Sequence, residues 1–453
     1  MVNSQTIKYL KIVPFSQFSL WDTKRYTSKL ISSNYSIVKL GTCIVEQSKK
    51  YKIFEQKEVD FGILGVNNKK GIFDAYTQKG AEINQPYKKM QTGWLAYNPY
   101  RINVGSIGIK LEEHQNEYIS PAYVVFSCKE NLLPEFLFFL FKTNTFNNVI
   151  KESTTGSVRQ NLTFETLKNL EIPLPSIEEQ TRIVAAYNAK LQSAQVQVLQ
   201  SKQLEIDIEK YLFEQLGIIE ADKVKAKTKK AFQIIKFSET QRWDALFLLG
   251  NLPTFVSKYE LVKFSDIIKY FNKGENGKTI RIDSPKFPND DFRYVGMEHI
   301  EKVTGILLDM PEVKGKEIKS QTLRIPKNFF IYGKLRPYLN KYWINDTDFD
   351  NIICSSEFFV FDTIDSLDKL FFKYVLSSKI IQNQISDKTS GARMPRINED
   401  IFFNLQFPLP SNEKQKEISI YINSIKEDIK KLDVLSMQNK QKAILVFEKA
   451  IFN

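Results

Sequence analysis

The chain contains one stretch twice, and this repeat predicts most of its architecture. Residues 156–183 read GSVRQNLTFETLKNLEIPLPSIEEQTRI, and residues 391–418 read GARMPRINEDIFFNLQFPLPSNEKQKEI. The two Pro-Leu-Pro-Ser tetrads, which start at Pro173 and Pro408, are 235 positions apart, and the glycines that open the two stretches keep the same offset. A constant offset over this length indicates an internal duplication.

Each copy predicts a short strand followed by a helix. Apolar and polar residues alternate in Leu170–Ile172 and Leu405–Phe407, as in a half-buried strand. The prolines that follow place each strand at a sheet edge or end it there. Ser176 and Ser411 are suited to cap the two helices, and Glu179 completes a capping box in the first copy only.

The two helices are predicted to be unusually long. Neither glycine nor proline interrupts 177–216 or 412–453, and about 40 helical residues measure about 60 Å. Apolar residues that recur every three or four positions predict a coiled coil or a subunit interface. They are Val184, Tyr187, Leu191 and Val198 in the first helix, and Ile418, Ile422, Ile425, Ile429, Leu432, Ala443, Val446 and Ala450 in the second. This pattern favours pairing of the two helices, and the alternative is two bundle helices in separate domains.

Composition favours a globular nucleic-acid-binding protein. The 453 residues carry a net charge of +12, and 42% of them are hydrophobic. Nucleic acid is the leading partner for this charge, with an anionic membrane or a merely lysine-rich composition as alternatives. Three scattered cysteines suit a reducing compartment. The most apolar stretch, 132–141, is too short to cross a bilayer, so we expect a cytoplasmic protein without membrane association.

The repeat also predicts the domain organisation. We expect an α+β protein, because strand-like and helical patterns are mixed in both globular regions. The predicted segments are a first domain at 1–175, a first long helix at 176–217, a basic linker at 218–232, a second domain at 233–410 and a second long helix at 411–453.

Catalytic patterns are absent from the sequence. The only histidines, His114 and His299, do not fit a catalytic triad or a zinc motif. Residues 274–279 lack the first glycine of a phosphate-binding loop and predict a turn. Asn98-Pro99-Tyr100 lacks a second proline that adenine methyltransferases have at this point. We therefore expect no catalytic site, no metal site and no cofactor in this chain.

The repeated stretches instead begin with loops that are suited to contact DNA. Glycine permits close approach, arginine can bind guanine or phosphate, and glutamine or asparagine can pair with adenine. The predicted DNA-binding residues are Arg101, Gly156, Ser157, Arg159, Gln160, Asn161, Lys334, Arg336, Gly391, Arg393 and Arg396. The alternative is that the loop arginines only form salt bridges at the rim of each domain.

The two copies, together with Arg242-Trp243-Asp244, resemble the specificity (S) subunit of Type I restriction–modification systems. The similarity covers essentially the whole chain. It implies two mixed α/β target recognition domains, separated by two long antiparallel coiled-coil helices and related by a pseudo-twofold repeat. Lys414 stands where the family usually has an acidic residue at the start of the second helix.

This resemblance also implies a function. The chain would read a bipartite double-stranded DNA target, one half-site per domain, without being an enzyme itself. Two methyltransferase (M) subunits would bring S-adenosylmethionine and methylate adenine, and motor–nuclease (R) subunits would bring ATP and Mg for cleavage. The alternatives are the specificity subunit of a Type IIB-like enzyme and a basic coiled-coil adaptor that does not read sequence.

Overall fold

The computed structural model of the protein describes residues 31–153, 161–220, 255–386 and 394–452. These residues form two compact units. Unit 1 comprises the described residues up to Leu199 together with those from Leu432 onward, and unit 2 comprises those from Gln200 to Lys431. The boundaries cut through both long helices, so each unit combines one globular region with a part of each helix. The domain boundaries predicted from the sequence stay a prediction.

In its described part, unit 1 consists of short strands, three complete α-helices and one part of each long helix. The strands are β1 Ile37–Lys39, β2 Ile44–Glu46, β3 Lys50–Tyr51, β4 Asp60–Asn67, β5 Gly71–Lys79, β6 Tyr87–Lys89, β7 Leu95–Tyr97, β8 Ile107–Ile109, β9 Tyr118–Ile119, β10 Val124–Cys128 and β11 Glu171–Pro173. The helices are α1 Pro134–Leu140, α2 Asn144–Ser153, α3 Phe164–Lys168 and α4 Ile177–Leu216, of which only the first part belongs to this unit.

Three sheets organise unit 1. A four-stranded antiparallel sheet has the order β2-β10-β7-β8, and a five-stranded sheet has the order β3-β6-β9-β4-β5 with β4 and β9 parallel. The proline-terminated strand β11 pairs only with β1, which confirms its predicted edge position. The apolar stretch at 132–141 forms the buried helix α1, with Phe136, Leu137 and Leu140 inaccessible to solvent.

Unit 2 contains the corresponding elements in the same order. Its strands are β12 Ile219–Glu220, β13 Phe255–Val256, β14 Leu261–Lys263, β15 Ile268–Lys269, β16 Arg281–Ile282, β17 Asp291–Val295, β18 Glu312–Lys314, β19 Thr322–Arg324, β20 Phe330–Gly333, β21 Tyr342–Ile344, β22 Ile352–Ser355, β23 Phe358–Thr363 and β24 Gln406–Pro408. Its helices are α5 Phe264–Ile267, α6 Lys369–Ser377, α7 Lys379–Ser386, α8 Glu399–Phe403 and the first part of α9 Asn412–Ile451.

The sheets of unit 2 repeat the topology of unit 1. The four-stranded order is β15-β23-β20-β21, the five-stranded order is β16-β19-β22-β17-β18, and β24 pairs with β14. The parallel pair recurs as β17 and β22. Strands β7 and β20 begin 235 positions apart, as do β6 and β19. The internal duplication therefore extends through the whole globular fold, and the α+β class predicted from the sequence is confirmed.

The long helices begin where the sequence predicts. Glu179 N–H donates to Ser176 Oγ at 3.3 Å, and Lys414 N–H donates to Ser411 Oγ at 3.4 Å. The reciprocal half of the predicted capping box differs, because the Glu179 carboxylate accepts from Tyr35 Oη and from Arg182 instead. Hydrogen bonds from these donors hold the pKa of Glu179 down to about 2.

The first helix ends at a glycine. Gly217 has a φ of +59°, and Ile218 N–H donates to Phe213 O at 2.9 Å. This pattern closes the last helical turn and requires the left-handed conformation that glycine adopts without strain. In the described part of the chain, no helix is both long enough and apolar enough to span a membrane.

Candidate nucleic-acid interface

Most of the predicted loop residues lie outside the described part of the chain. Gly156, Ser157, Arg159 and Gln160 in the first copy are not described, and neither are Gly391 and Arg393 in the second. Arg101, Asn161, Lys334, Arg336 and Arg396 are described, and they show what surrounds the loops.

In unit 1, the chain that leaves the first loop is fixed beside the turn that carries Arg101. Leu162 N–H donates to Pro99 O at 3.0 Å, and Arg101 N–H donates to Asn98 O at 3.0 Å. The buried Tyr97 hydroxyl donates to Leu162 O at 3.1 Å. These bonds hold the segment that contains Asn161 and Leu162 beside the turn that contains the exposed Arg101.

Unit 2 builds the same junction at the equivalent positions. Ile397 N–H donates to Lys334 O at 3.1 Å, which reproduces the bond from Leu162 to Pro99 after a shift of 235 positions. Arg336 N–H donates to Pro395 O at 2.7 Å, and Leu335 pairs with Arg396 in an antiparallel bridge. Arg336 and Arg396 are therefore brought together, although more than fifty residues separate them in sequence.

The two equivalent arginines differ in backbone conformation. Arg336 is exposed and has φ 48° and ψ 59°, whereas Arg101 has φ −133° and ψ 12°. A left-handed conformation is unfavourable for a side chain larger than glycine, by about 1–2 kcal/mol. Such an outlier, kept at a predicted contact position, favours a functional role for the Arg336 side chain.

Arg396 and Lys334 are engaged with the protein itself. Arg396 donates to both carboxylate oxygens of Glu357 at 3.1 Å, and these bonds raise its pKa. Lys334 Nζ donates to Ser356 O at 2.7 Å and lies 4.9 Å from the ring centroid of Phe359. Burial lowers the pKa of Lys334. Arg336 and Arg396 are thus both exposed, and Arg396 is held in a fixed orientation by Glu357.

In unit 1, three of the apolar residues predicted along the first long helix pack against the core. Val184, Tyr187 and Leu191 lie against the core, and the Tyr187 ring meets Phe447 edge to face at 5.8 Å. Ser436 Oγ donates to Ala194 O at 3.0 Å. Contacts therefore run in opposite chain directions, so the two helix segments of this unit are antiparallel. Val198 and Leu432 are half-buried.

One predicted position in this stripe is wrong. Val446 is 39% exposed, and Phe447 takes the buried place between Ala443 and Ile451. Ala443, Phe447 and Ile451 are spaced four residues apart and therefore share one helical face. The sequence pattern indicated Val446, the residue next to Phe447, instead.

In unit 2, the other predicted helix residues are equally engaged. Ile418 and Ile422 are inaccessible to solvent, Ile429 is buried and Ile425 is half-buried, all in one core with α4 residues. Lys426 Nζ pairs with Glu205 at 2.8 Å, and the rings of Tyr211 and Tyr421 are 4.2 Å apart. These contacts again make the two helix segments antiparallel.

Other apolar residues of the helices remain exposed. Ile206 and Ile420 in unit 2 are 61% and 72% exposed, and Leu199 and Met437 in unit 1 are both 58% exposed. The sequence interpretation did not single these residues out, because they lie outside the main stripe. Large exposed apolar side chains on a helix favour contact with another protein.

Catalytic geometry is not found in the described residues. No group of three or more histidine, cysteine, aspartate or glutamate side chains there could hold a metal ion. The glycine-rich stretch at 274–279 is a turn, as predicted, with Gly274 N–H donating to Lys278 O at 2.9 Å.

Family comparison places the repeat among DNA specificity proteins. A family described as the Type I restriction modification DNA specificity domain matches residues 100–189 and 256–435, which together are more than half of the chain. The chain is 23% identical over 371 residues to a Type I restriction enzyme MjaVIII specificity subunit from Methanocaldococcus jannaschii, covering 78% of this chain and 76% of that protein. A MjaIX specificity subunit from the same organism is 44% identical over 55 residues, which are 12% of this chain and 13% of that one.

Solved structures share the fold. A chain from a structure on complex assembly and conformational transition of the type I R-M system aligns with a TM-score of 0.55 and 14% identity, over 93% of this chain and 98% of that one. The HsdS subunit from Thermoanaerobacter tengcongensis aligns with a TM-score of 0.42 and 14% identity, over 92% of this chain and 96% of that one.

Proposed function

Since this chain belongs to the family of Type I restriction–modification DNA specificity domains, we propose that it reads a split DNA target, with one half-site for each of its two repeats. Proteins of this family recognise DNA and do not catalyse the reactions of the system. Base and phosphate contacts would come from the loops at 154–160 and 387–393 and from the arginines beside their anchors.

One observation carries this proposal. Each repeat makes the same backbone hydrogen bond shortly after its loop stretch, from Leu162 to Pro99 in unit 1 and from Ile397 to Lys334 in unit 2. Before these bonds the loop sequences differ, with Ser157 and Gln160 in one copy and Ala392 and Pro395 in the other. A repeated scaffold with different polar groups suits the reading of two different half-sites.

Partner subunits would supply the chemistry. We propose two methyltransferase subunits that bind S-adenosylmethionine and methylate adenine, and motor–nuclease subunits that use ATP and Mg. The exposed apolar residues on the helices of each unit, such as Ile206 and Ile420, give these partners a surface to cover. The chain itself would bind no cofactor.

The test is selection from random duplexes with the cognate methyltransferase subunit present. Enrichment of two short sequences around a gap of fixed length supports the proposal. Exchange of residues 154–161 for those of another family member should then change one half-site and leave the other intact. Enrichment of no motif would indicate an adaptor that does not read sequence. Methyl transfer by the purified chain alone would contradict a non-catalytic role.

A further inference from the structure

A notch on unit 1 combines lysines and amides from three separate segments. It measures about 360 Å³ and lies between the turn after β4, the turn after Arg101 and the helix α2. Its polar side chains are Asn68, Asn103, Lys142, Asn144, Asn147, Asn148 and Lys151. None of the residues lining it, in the part of the chain that the structure describes, is acidic.

The Lys142 ammonium gives the notch a positive charge that no carboxylate neutralises. Its Nζ donates to Gly105 O at 3.1 Å and lies 5.1 Å from the ring centroid of Phe138. Lys142 forms no salt bridge with any residue in the described ranges. Burial lowers the pKa of Lys142, as expected for a cation that lacks a charged partner.

The backbone and the helix shape the notch around this charge. Gly105 has a φ of +83°, and an added Cβ would lie 3.9 Å from Lys142 Nζ, so a larger residue would be strained and would enter the notch. Asn144, Asn147, Asn148 and Lys151 follow one face of α2 at spacings of three and four. The Oδ1 atom of Asn147 is buried and lacks a hydrogen-bond partner among the described residues.

The positive character does not come from the end of the helix. Three N–H groups in the first turn of α2 are already satisfied: Thr145 N–H donates to Glu448, Phe146 N–H donates to Thr143 Oγ1 at 3.2 Å, and Asn147 N–H donates to Thr143 O at 3.1 Å. The Lys142 ammonium and the amide of the exposed Asn148 are donors that a ligand could meet in the notch. These are the groups that proteins use to contact the phosphates of DNA.

The equivalent place in unit 2 is filled. Ser377 stands where Lys142 stands, and Asn340 replaces Gly105, after the shift of 235 positions. Asn340 Nδ2 donates to Ser377 O at 2.7 Å, and Val303 N–H from the longer β17–β18 connection donates to Leu339 O at 3.1 Å. The notch is therefore a feature that distinguishes the first repeat from the second.

We propose that this notch binds one phosphate of the DNA backbone and thereby fixes the position of the first repeat on its half-site. The proposal rests on the DNA-reading function proposed above and names a contact that the second repeat makes differently. The loop at 154–160 follows α2 directly, and Arg101 precedes Asn103 by two residues. A phosphate held in the notch would lie near the turn that carries Arg101, which is expected to contact DNA.

The test measures DNA affinity of the complex with its methyltransferase subunit at several salt concentrations. Lys142→Gln should lower the slope of log affinity against log salt by about one. The ratio of wild-type to variant affinity should then fall by about threefold as the salt concentration rises from 50 to 200 mM. The selected DNA sequence should stay the same, because a phosphate contact carries no base information.

Exposed Asn148 provides variants that do not disturb the fold. Asn148→Asp should weaken binding to all sequences, and Asn148→Lys should strengthen it and steepen the slope. Lys168→Gln is the matched control, because Lys168 also lies near a ring, Phe164 at 5.9 Å, but is paired with Glu165 at 2.8 Å. It should leave the slope unchanged.

The outcomes separate this proposal from the proposed function. Slopes equal to wild type for Lys142→Gln and Asn148→Asp would overturn the phosphate contact, as would a change in the selected sequence. Stabilisation of wild type but not of Lys142→Gln by inorganic phosphate, with unchanged DNA slopes, would assign the notch to a free anion and also overturn it. Failure of wild type to select a split motif would contradict the proposed function, while slopes on random duplex would still test the notch.

Discussion

Gln180 and Gln415 make the same two hydrogen bonds in separate units. Gln180 Oε1 accepts from Leu133 N–H at 2.8 Å, and its Nε2 donates to Pro175 O at 3.0 Å. Gln415 accepts from Asp368 N–H at 2.8 Å and donates to Pro410 O at 2.9 Å. Both side chains are buried. Each glutamine therefore fastens the start of a long helix to the start of α1 or α6.

Replacement of either glutamine by leucine should destabilise its own unit. Leucine fills most of the space but leaves a buried N–H and a buried carbonyl without partners, at a cost of about 1–3 kcal/mol. We expect a lower free energy of unfolding for Gln180→Leu and Gln415→Leu, measured by denaturant titration.

Gln192→Leu is the control, because Gln192 lies on the same helix as Gln180 but is exposed. Its unfolding free energy should stay within about 0.5 kcal/mol of wild type. Equal stability of the Gln180 and control variants would show that the buried bonds do not stabilise the junction.

The architecture could be predicted from the sequence because the repeat and the helical periodicity are visible in short stretches of the chain. The strands that end in prolines and the serine caps were predicted at the observed positions. Sheet order was not predicted, since pairing such as that of β1 with β11 joins residues far apart in the chain. The Glu179 carboxylate left its expected partner because two donors compete for it: Tyr35, which is distant in sequence, and Arg182, which lies one helical turn further along the same helix.

The candidate DNA contacts could be predicted less completely from the sequence than the fold. A loop that contains glycine and arginine is recognisable, but the pairing of Arg396 with Glu357 depends on tertiary packing. The amide face of α2 carried a signal, since Asn144, Asn147, Asn148 and Lys151 have helical spacing. That signal was missed because asparagine is a poor helix former and usually indicates a turn.

Ile420 and Ile422, two residues apart on α9, allow folding to be tested separately from partner binding. Ile422 is inaccessible to solvent, whereas Ile420 is 72% exposed. Ile422→Asp buries an unpaired carboxylate and should cost about 4 kcal/mol or more of unfolding free energy. Denaturant titration of the chain is the measurement, and a cost below 1 kcal/mol would contradict the packing of this helix face.

Ile420→Asp should keep the unfolding free energy close to wild type, because the carboxylate stays in water. If a methyltransferase subunit covers this surface, the same change should weaken assembly of the complex. Sedimentation of the mixed subunits measures this effect. Unchanged assembly would place the partner on another surface.

Arg336 and Arg101 should respond differently to replacement by glycine. Both changes raise the conformational entropy of the unfolded chain to the same extent. Only Arg336→Gly also removes the strain of a left-handed conformation, because Arg101 does not adopt one. The free energy of unfolding, measured by denaturant titration, should therefore be about 1–2 kcal/mol higher for Arg336→Gly than for Arg101→Gly. Each change should weaken DNA binding. If the Arg336 variant loses stability as much as the Arg101 variant, the backbone conformation is not strained.

The pair of Glu357 and Arg396 decides between base reading and a salt bridge at the rim of the domain. Two parallel hydrogen bonds fix the guanidinium plane and leave its other N–H groups free to donate. If Arg396 reads a base, Arg396→Ala should cost about 1–3 kcal/mol of binding free energy and relax one position of the second half-site.

Glu357→Gln should then act through Arg396. It removes a negative charge beside the DNA, so affinity for random duplex should rise, while discrimination at the same base position should fall because the guanidinium is less well oriented. In the double variant, the loss of discrimination should equal that of Arg396→Ala alone, since the two residues act as a unit. Unit 1 has Ala122 and Asn161 at the equivalent positions, so the first half-site should be unaffected. Sequence selection with each variant is the measurement, and an unchanged preference for Glu357→Gln would leave the pair as a structural salt bridge.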